Sequence, residues 1–138
     1  MPLNVFIVED HALMRETLRE FIQADMDCSV CGAAARGEDA LAQLEHMSTQ
    51  VVIVDVLLPS MSGIEMVEIL HSKRPEIVCI MLSGHSEASY VRRALDAGAL
   101  GYVLKGNPTE IPEAIRQASN GIVYLSGAVR ERLEQSAR

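Results

Sequence analysis

The sequence predicts an α/β domain in which a five-stranded, doubly wound parallel sheet carries helices on both faces. The run that begins at Val51 is short, apolar and mostly β-branched, as expected of a central strand buried on both faces. Four further apolar runs alternate with segments whose apolar residues recur at helical spacing, which is typical of a parallel sheet with right-handed crossovers. The 138 residues are 49% hydrophobic and 22% charged, a composition that predicts one soluble domain with a single core.

Each predicted strand is an apolar run with polar residues at its carboxyl end. The run that covers 28–35 is rich in small residues, so we expect it at an edge of the sheet. The five predicted strands cover 3–8, 28–35, 51–55, 77–82 and 100–104.

The predicted helices begin at polar or turn residues and carry one apolar stripe. In the first, Met14, Leu18 and Ile22 recur between charged residues. We expect Thr109 to cap the fifth helix, with Pro112 in its first turn, where a missing N–H costs little. The five helices are predicted over 11–24, from 37, from 64 to before Pro75, over 87–97 and after 109.

Composition and charge exclude several classes of function. The net charge of −7 argues against a nucleic-acid surface formed by this chain. No apolar run approaches the roughly 18 residues of a membrane span, and no basic leader follows Met1, so we expect a cytoplasmic protein without a membrane partner. Cys28 and Cys31 are three residues apart in a predicted strand and point to opposite faces, which disfavours a redox or zinc motif. Cys79 is expected in the core.

Chemically active side chains follow four of the five predicted strands. Because the carboxyl ends of parallel strands share one edge, we expect these side chains to meet there. They are Glu9, Asp10, Asp55, Ser83 and Lys105. Taken singly, each has a plainer explanation: Asp55 could start a turn, the Glu9–Asp10 pair or Ser83 could cap a helix, and Lys105 could be solvated. Only the five side chains together indicate a functional site at this edge of the sheet.

Three neighbouring carboxylates repel one another unless they share protons or bind a cation. Short oxygen ligands suit Mg²⁺, which keeps several waters and can also receive a phosphoryl oxygen. Lys105 and the Ser83 hydroxyl could contact other phosphoryl oxygens. The side chains expected at this edge of the sheet therefore predict that Asp55 is a nucleophile for phosphoryl transfer.

These motifs resemble the receiver domains of two-component response regulators over nearly the whole chain. The match rests on Glu9-Asp10, on Asp55 with Pro59 and Gly63, on Ser83-Gly84 and on Tyr102 before Lys105-Gly106. The segments 8–11, 97–105 and 120–126 are most similar to receivers of the NarL/LuxR type, which carry a helix-turn-helix output domain. Leu58 stands where methionine is frequent and Gly84 where alanine is common, and neither change removes a required group.

The resemblance implies a flavodoxin-like sheet of order 2-1-3-4-5 and a switch that is phosphorylated by a histidine kinase. It implies that Asp55 accepts the phosphoryl group and that Mg²⁺ is bound by Glu9, Asp10, Asp55 and the backbone carbonyl of Leu57. Ser83 and Tyr102 are implied as the switch pair, and Lys105 as the phosphate contact. Such a domain is not an enzyme on another substrate, although it promotes its own phosphorylation and dephosphorylation. It would control a transcriptional output domain, with a possible homodimer on phosphorylation.

The chain divides on this interpretation into a receiver over 1–120 and a C-terminal extension over 121–138. In the extension, 122–125 is predicted as extended, and Ser126 can cap a last helix with Val129 and Leu133 on one face. We expect either the start of a linker to an output domain outside this chain or a packed helical tail. DNA would then be reached only through such an output domain.

Three other classes of protein offer rival interpretations of the sequence. A haloacid-dehalogenase-like phosphatase resembles this chain in its strand-end aspartate but has a second aspartate where Leu57 stands. A flavodoxin-like binding module needs a glycine- and hydroxyl-rich phosphate loop, whereas Glu9 and Asp10 would repel phosphate. A receiver that acts unphosphorylated as an interaction module remains open, because an intact site does not prove its use.

Overall fold

The computed structural model describes residues 2–137, which form a parallel sheet of six strands with helices on both faces. The sheet has the predicted order 2-1-3-4-5 and extends it by a sixth strand beside the fifth. Met1 and Arg138, the end residues of the predicted divisions, lie outside the described residues. The strands are β1 (Leu3–Val8), β2 (Cys28–Ala34), β3 (Val51–Asp55), β4 (Val78–Ser83), β5 (Gly101–Leu104) and β6 (Tyr124–Leu125).

Five helices follow the first five strands and a sixth ends the described chain, close to the positions that periodicity predicts. No helix among residues 2–137 combines the length and apolar character that crossing a membrane requires. The helices are α1 (Ala12–Gln23), α2 (Gly37–Leu44), α3 (Gly63–Lys73), α4 (Ala88–Ala97), α5 (Ile111–Ser119) and α6 (Gly127–Ser136), with a short 3₁₀ helix at Pro108–Glu110.

The central strand β3 is buried along its whole length because helices cover both faces of the sheet. Alternate side chains of a strand point to opposite faces. Val52 and Val54 therefore pack into a core formed with α2, α3 and α4, whereas Val51 and Ile53 pack into a second core with α1 and α5. In the observed register, Asp55 at the carboxyl end of β3 pairs with Leu82 of β4.

The predicted count of five strands is too low by one. Tyr124–Leu125 pairs in parallel with β5, and the Tyr124 N–H donates to the Leu100 carbonyl over 3.0 Å. A strand of two residues has no periodicity of its own, so the sequence shows only an extended segment there. Next to it, α6 packs against α4 and buries Val129 completely.

One predicted helix cap is wrong, and a second has the predicted position but makes no side-chain capping bond. Thr109 lies inside the 3₁₀ helix, where its hydroxyl donates to Asn107 Oδ1 over 2.7 Å, and α5 begins at Ile111 without a side-chain cap. Ser126 does precede α6, but its hydroxyl makes no capping bond. Both side chains instead bond other polar groups near the end of the sheet, an option that short hydroxyl side chains have whenever a competing acceptor is close. Pro112 does lie in the first turn of α5, as predicted.

Candidate functional site

The carboxyl ends of β1, β3, β4 and β5 meet at one edge of the sheet and bring the predicted side chains together. Glu9 follows β1, Asp55 ends β3, Ser83 ends β4 and Lys105 follows β5. Lys105 Nζ lies 2.7 Å from Asp55 Oδ2 and 2.8 Å from Glu9 Oε1, so one ammonium group contacts both carboxylates.

Asp55 is almost fully enclosed, with 2% of its surface exposed. Its Oδ1 accepts a hydrogen bond of 3.1 Å from the Leu57 backbone N–H, and its Oδ2 accepts one from Lys105. Both carboxylate oxygens are thus oriented by donors, which holds the side chain in one direction at the sheet edge. The Leu57 backbone thus contacts Asp55 through its N–H and not through its carbonyl. That the Leu57 carbonyl binds a metal ion stays a prediction.

Gly63 permits the close approach of α3 to the end of β3. A Cβ at this position would lie 2.0 Å from the Asp55 carbonyl oxygen, a distance that only a backbone shift could relieve. The Gly63 N–H also donates to the Val56 carbonyl over 2.8 Å. The glycine in the recognised motif therefore has a steric reason: it lets the first turn of α3 pack beside Asp55.

An acidic cluster surrounds Asp55 on the side of β1. Glu9, Asp10, His11 and Asp55 each offer one ligand atom, and these atoms all lie within 4.8 Å of one another. Glu9 has no exposed surface, and the ammonium of Lys105 lies 2.8 Å from its Oε1. Carboxylate oxygens of three residues this close together fit a hard cation such as Mg²⁺.

His11 belongs to this cluster although it was not predicted as a site residue from the sequence. Its Nδ1 lies 3.3 Å from both Glu9 Oε2 and Asp10 Oδ1, and its backbone N–H donates to Glu9 Oε2 over 3.2 Å. The available signal was its position next to two acidic residues, but most of its side chain is exposed, as is usual for a surface histidine.

The charges of this edge shift the pKa values of its carboxyl groups in opposite directions. Burial raises the pKa of Asp55 to about 6, with Lys105 opposing the change and Glu9 adding to it. Burial would also raise the pKa of Glu9, but hydrogen bonds with Lys105, Asp55 and His11 lower it to about 2. Burial lowers the pKa of Lys105, and its two carboxylate partners outweigh that effect and raise it. Lys105 therefore remains charged at neutral pH.

Ser83 and Tyr102 meet at the loop that follows β4. The Ser83 hydroxyl accepts from the His85 N–H over 2.9 Å, and the Tyr102 hydroxyl donates to the His85 carbonyl over 2.7 Å. Tyr102 has no exposed surface, so its ring is already inside the domain. Burial raises the pKa of Tyr102, and the nearby Ser83 hydroxyl partly opposes that change. The two predicted switch residues therefore hold the backbone of the same residue, Ser83 at the N–H of His85 and Tyr102 at its carbonyl.

Comparison with known families decides the assignment. Residues 5–116 match the model of the response regulator receiver domain. The chain belongs to this family. Among curated relatives of this receiver, response regulator protein VraR of Staphylococcus saprophyticus is 31% identical over an alignment 142 residues long. The alignment covers 99% of the chain and 68% of VraR. Response regulator UvrY of Escherichia coli is 30% identical over 135 residues, which cover 97% of the chain but only 62% of UvrY.

Solved structures support the receiver fold. The signal receiver domain of the response regulator NarL from Mycobacterium tuberculosis superposes with a TM-score of 0.82 at 28% identity, over 87% of this chain and 98% of that one. A LuxR-family two-component response regulator from Aurantimonas sp. superposes with a TM-score of 0.95 at 24% identity, over 99% of both chains. These relatives confirm the predicted likeness of this receiver to the NarL/LuxR type.

Proposed function

We propose that this receiver is a phosphorylation switch in which Asp55 accepts a phosphoryl group from a sensor histidine kinase. The observation that carries the proposal is the arrangement around Asp55, whose buried carboxylate lies 2.7 Å from Lys105 Nζ and inside a cluster of further carboxylates. A carboxylate held in this way is oriented for attack, and it lies next to a cation that can neutralise phosphoryl oxygens.

In the proposed reaction an Asp55 carboxylate oxygen attacks the phosphorus of a phosphohistidine. The new O–P bond forms as the N–P bond to the donor imidazole breaks, and the electron pair of that bond stays with the imidazole. Lys105 moves its ammonium contact from the Asp55 carboxylate to a phosphoryl oxygen, and the Ser83 hydroxyl donates to another. Such transfer depends mainly on positioning and charge neutralisation, which this edge supplies.

Mg²⁺ belongs to the proposal as the resident cation of the acidic cluster. The residues that would hold it are Glu9, Asp10, Asp55 and the Leu57 carbonyl, and the close approach of the three carboxylates supports that choice. When bound, the ion would neutralise part of the carboxylate charge and of the charge that the phosphoryl group brings.

The proposed output is a shift between two conformations of the β4–α4 loop. A phosphoryl group adds about −1.5 to −2 charges and strong acceptor oxygens. The Ser83 hydroxyl would turn towards these oxygens and move His85, whose backbone contacts both Ser83 and Tyr102. A ligand shifts such an equilibrium only by its differential affinity for the two states, so a partial shift is expected.

The proposed partners follow from the relatives rather than from this chain. VraR and UvrY are response regulators. RcsB, which superposes on this chain with a TM-score of 0.91 at 24% identity, has been solved as dimers bound to DNA. For this receiver we propose a sensor histidine kinase as phosphodonor, a homodimer after phosphorylation and control of a DNA-binding output domain. The domain would act on no other substrate, and it would promote its own phosphorylation and dephosphorylation.

Intact mass spectrometry after incubation with Mg²⁺ and a small phosphodonor tests the proposed function. The wild-type chain should gain the mass of one phosphoryl group, and Asp55→Asn should gain none. Asp39→Asn, an exposed change of the same kind in the first turn of α2, is the matched control and should be labelled like the wild type. Full labelling of Asp55→Asn would refute the acceptor assignment. A wild-type chain that stays unlabelled would favour the rival interpretation, an interaction module that works without phosphorylation.

A further inference from the structure

Ser126 lies ten residues beyond the part of the chain that matches the receiver family, yet it is 97% buried at the Lys105 end of the sheet. Its backbone N–H donates to the Tyr102 carbonyl over 3.1 Å. Its hydroxyl accepts from the Leu104 N–H over 3.1 Å and donates to Glu110 Oε2 over 2.6 Å. One side chain thus joins the backbone of β5 to the start of α5.

The Ser126 hydroxyl replaces a backbone group in the β5–β6 ladder. In a parallel pair, the Leu104 N–H would next donate to the Ser126 carbonyl. Here the hydroxyl takes that bond, and the carbonyl accepts instead from the Arg130 N–H over 2.9 Å, in the first turn of α6. The chain can therefore leave β6 and enter α6 at Ser126 with both backbone groups bonded.

Glu110 ties the same junction to a second residue of the segment. Its Oε1 accepts from the Tyr124 hydroxyl over 2.8 Å while its Oε2 accepts from Ser126. Burial, with Glu110 adding to it, raises the pKa of Tyr124 to about 12, so this phenol remains a donor at neutral pH. Both carboxylate oxygens of Glu110 are thus used to hold β6 and the start of α6.

Beyond Ser126, α6 lies against α4, the helix that follows the loop of Ser83 and His85. Val129 is fully buried in the core that also contains Tyr102 and Val91 of α4. At the far end, the Arg92 guanidinium donates to the Ser136 hydroxyl. A displacement of α4 or of the β5 end must therefore disturb α6, because packed elements do not deform independently.

We propose that Ser126, held by Glu110, is the link through which occupation of the Asp55 pocket is transmitted to α6. The inference rests on the proposed function and adds a regulatory route to it. Lys105 follows directly after Leu104, so a phosphoryl group that draws the Lys105 ammonium away from Asp55 also acts on the Leu104 N–H, which donates to Ser126. Occupation of the pocket should then strengthen the docking of α6.

Thermodynamic reciprocity gives this link a test that a merely structural anchor would fail. If pocket occupation stabilises α6 by a given factor, the Ser126 link must strengthen binding in the pocket by the same factor. The probe is beryllofluoride with Mg²⁺, a phosphoryl mimic. Hydrogen exchange of Gly127–Ser136 reports on α6, and a fluorine NMR titration reports the affinity for the mimic. Coupling at the low end of the usual range would be about fivefold in each measurement.

The variants are Ser126→Ala and Glu110→Gln, the second of which leaves the Ser126 bond to Leu104 in place. In the wild type, the mimic should slow α6 exchange about fivefold. In Ser126→Ala the slowing should disappear and the mimic should bind about fivefold more weakly, whereas Glu110→Gln should lose only part of each effect. Ser119→Ala, the same change on the exposed side of α5, should behave like the wild type.

The contrary results separate this inference from the proposed function. If Ser126→Ala speeds α6 exchange equally with and without the mimic and leaves the affinity unchanged, Ser126 is an anchor only and the inference is wrong. Unchanged α6 exchange in a wild-type chain whose Asp55 is labelled normally would also overturn it while the proposed function stands. A wild-type chain whose Asp55 is never labelled would overturn both.

Discussion

Lys105 Nζ contacts Asp55 Oδ2 at 2.7 Å although the two residues are 50 positions apart and their strands, β3 and β5, are separated by β4. The lysine reaches across the end of the intervening strand and also contacts Glu9 at 2.8 Å. It is thus the common counter-charge of two buried carboxylates, and this relationship sets the expectations for the variants below.

Lys105→Gln should destabilise the metal-free protein and slow phosphorylation. Removing one partner of a buried ion pair leaves charge without compensation, which we expect to cost about 3 kcal/mol of unfolding free energy because Lys105 is partly exposed. The initial labelling rate should fall at least about tenfold, because a donor to the transferred group is lost. Chemical denaturation and intact mass measure the two effects. Lys73→Gln, at the end of α3, alters the other lysine of the chain and should change neither; an unaltered labelling rate in Lys105→Gln would contradict the role of Lys105.

Asp55→Asn should stabilise the protein at neutral pH when a chelator removes metal ions. Because burial raises the pKa of Asp55 to about 6, the folded state holds this proton more tightly than the unfolded state does. Wild-type stability should therefore fall as pH rises from the unfolded pKa near 4 to about 6, and the variant lacks this loss.

The gain in Asp55→Asn should reach about 3 kcal/mol above pH 6 and vanish below pH 4, where Asp55 is protonated in both states. Urea denaturation at a series of pH values measures it. A variant that is less stable than the wild type at pH 7 would show that the Lys105 ion pair outweighs the burial of the carboxylate.

Mg²⁺ should raise the melting temperature of the wild-type chain, because a ligand that binds the folded state stabilises it. Glu9→Gln and Asp10→Asn should each reduce this shift, since each removes a charged ligand from the cluster. Asp39→Asn should retain the full shift. Thermal melts with Mg²⁺ and with excess chelator provide the measurement, and an equal Mg²⁺ shift in all four proteins would place the cation elsewhere.

Tyr102→Phe should keep Asp55 competent but weaken the response of the β4–α4 loop. The change removes the hydrogen bond to the His85 carbonyl, for an expected loss of about 1 kcal/mol of stability. Backbone NMR shifts of α4, compared with and without beryllofluoride and Mg²⁺, should change less in the variant than in the wild type. Tyr90→Phe removes a hydroxyl from α4 and is the matched control. Equal shift changes in Tyr102→Phe and the wild type would separate Tyr102 from the switch.

The strands and helices could be predicted closely because their signals are local. The apolar run Leu3–Val8 has the bounds of β1, and the stripe of Met14, Leu18 and Ile22 lies within α1. A buried strand shows as a continuous apolar run and an amphipathic helix as apolar residues at helical spacing, so both can be seen in consecutive residues. The order of the first five strands was implied by the family resemblance, and the structure confirms it.

The meeting of Glu9, Asp55 and Lys105 also follows from the sequence, since strand-end residues of a parallel sheet must share one edge. Their contacts do not follow. That Lys105 contacts both carboxylates, and that His11 joins the acidic cluster, depends on side-chain directions set by the packing of neighbouring strands and loops.

By itself, the sequence determined the α/β class, the edge that carries the acidic group and the receiver motifs, because these depend on residue type and spacing along the chain. Only the tertiary structure showed where residues 121–137 pack, with β6 beside β5 and α6 against α4. Ser126 could be predicted as a cap, but its partners Leu104 and Glu110 lie 22 and 16 residues away, and no local pattern selects among distant hydrogen-bond partners. The sixth strand and the link to α6 exist because the folded sheet offers β5 as an edge with unpaired backbone groups.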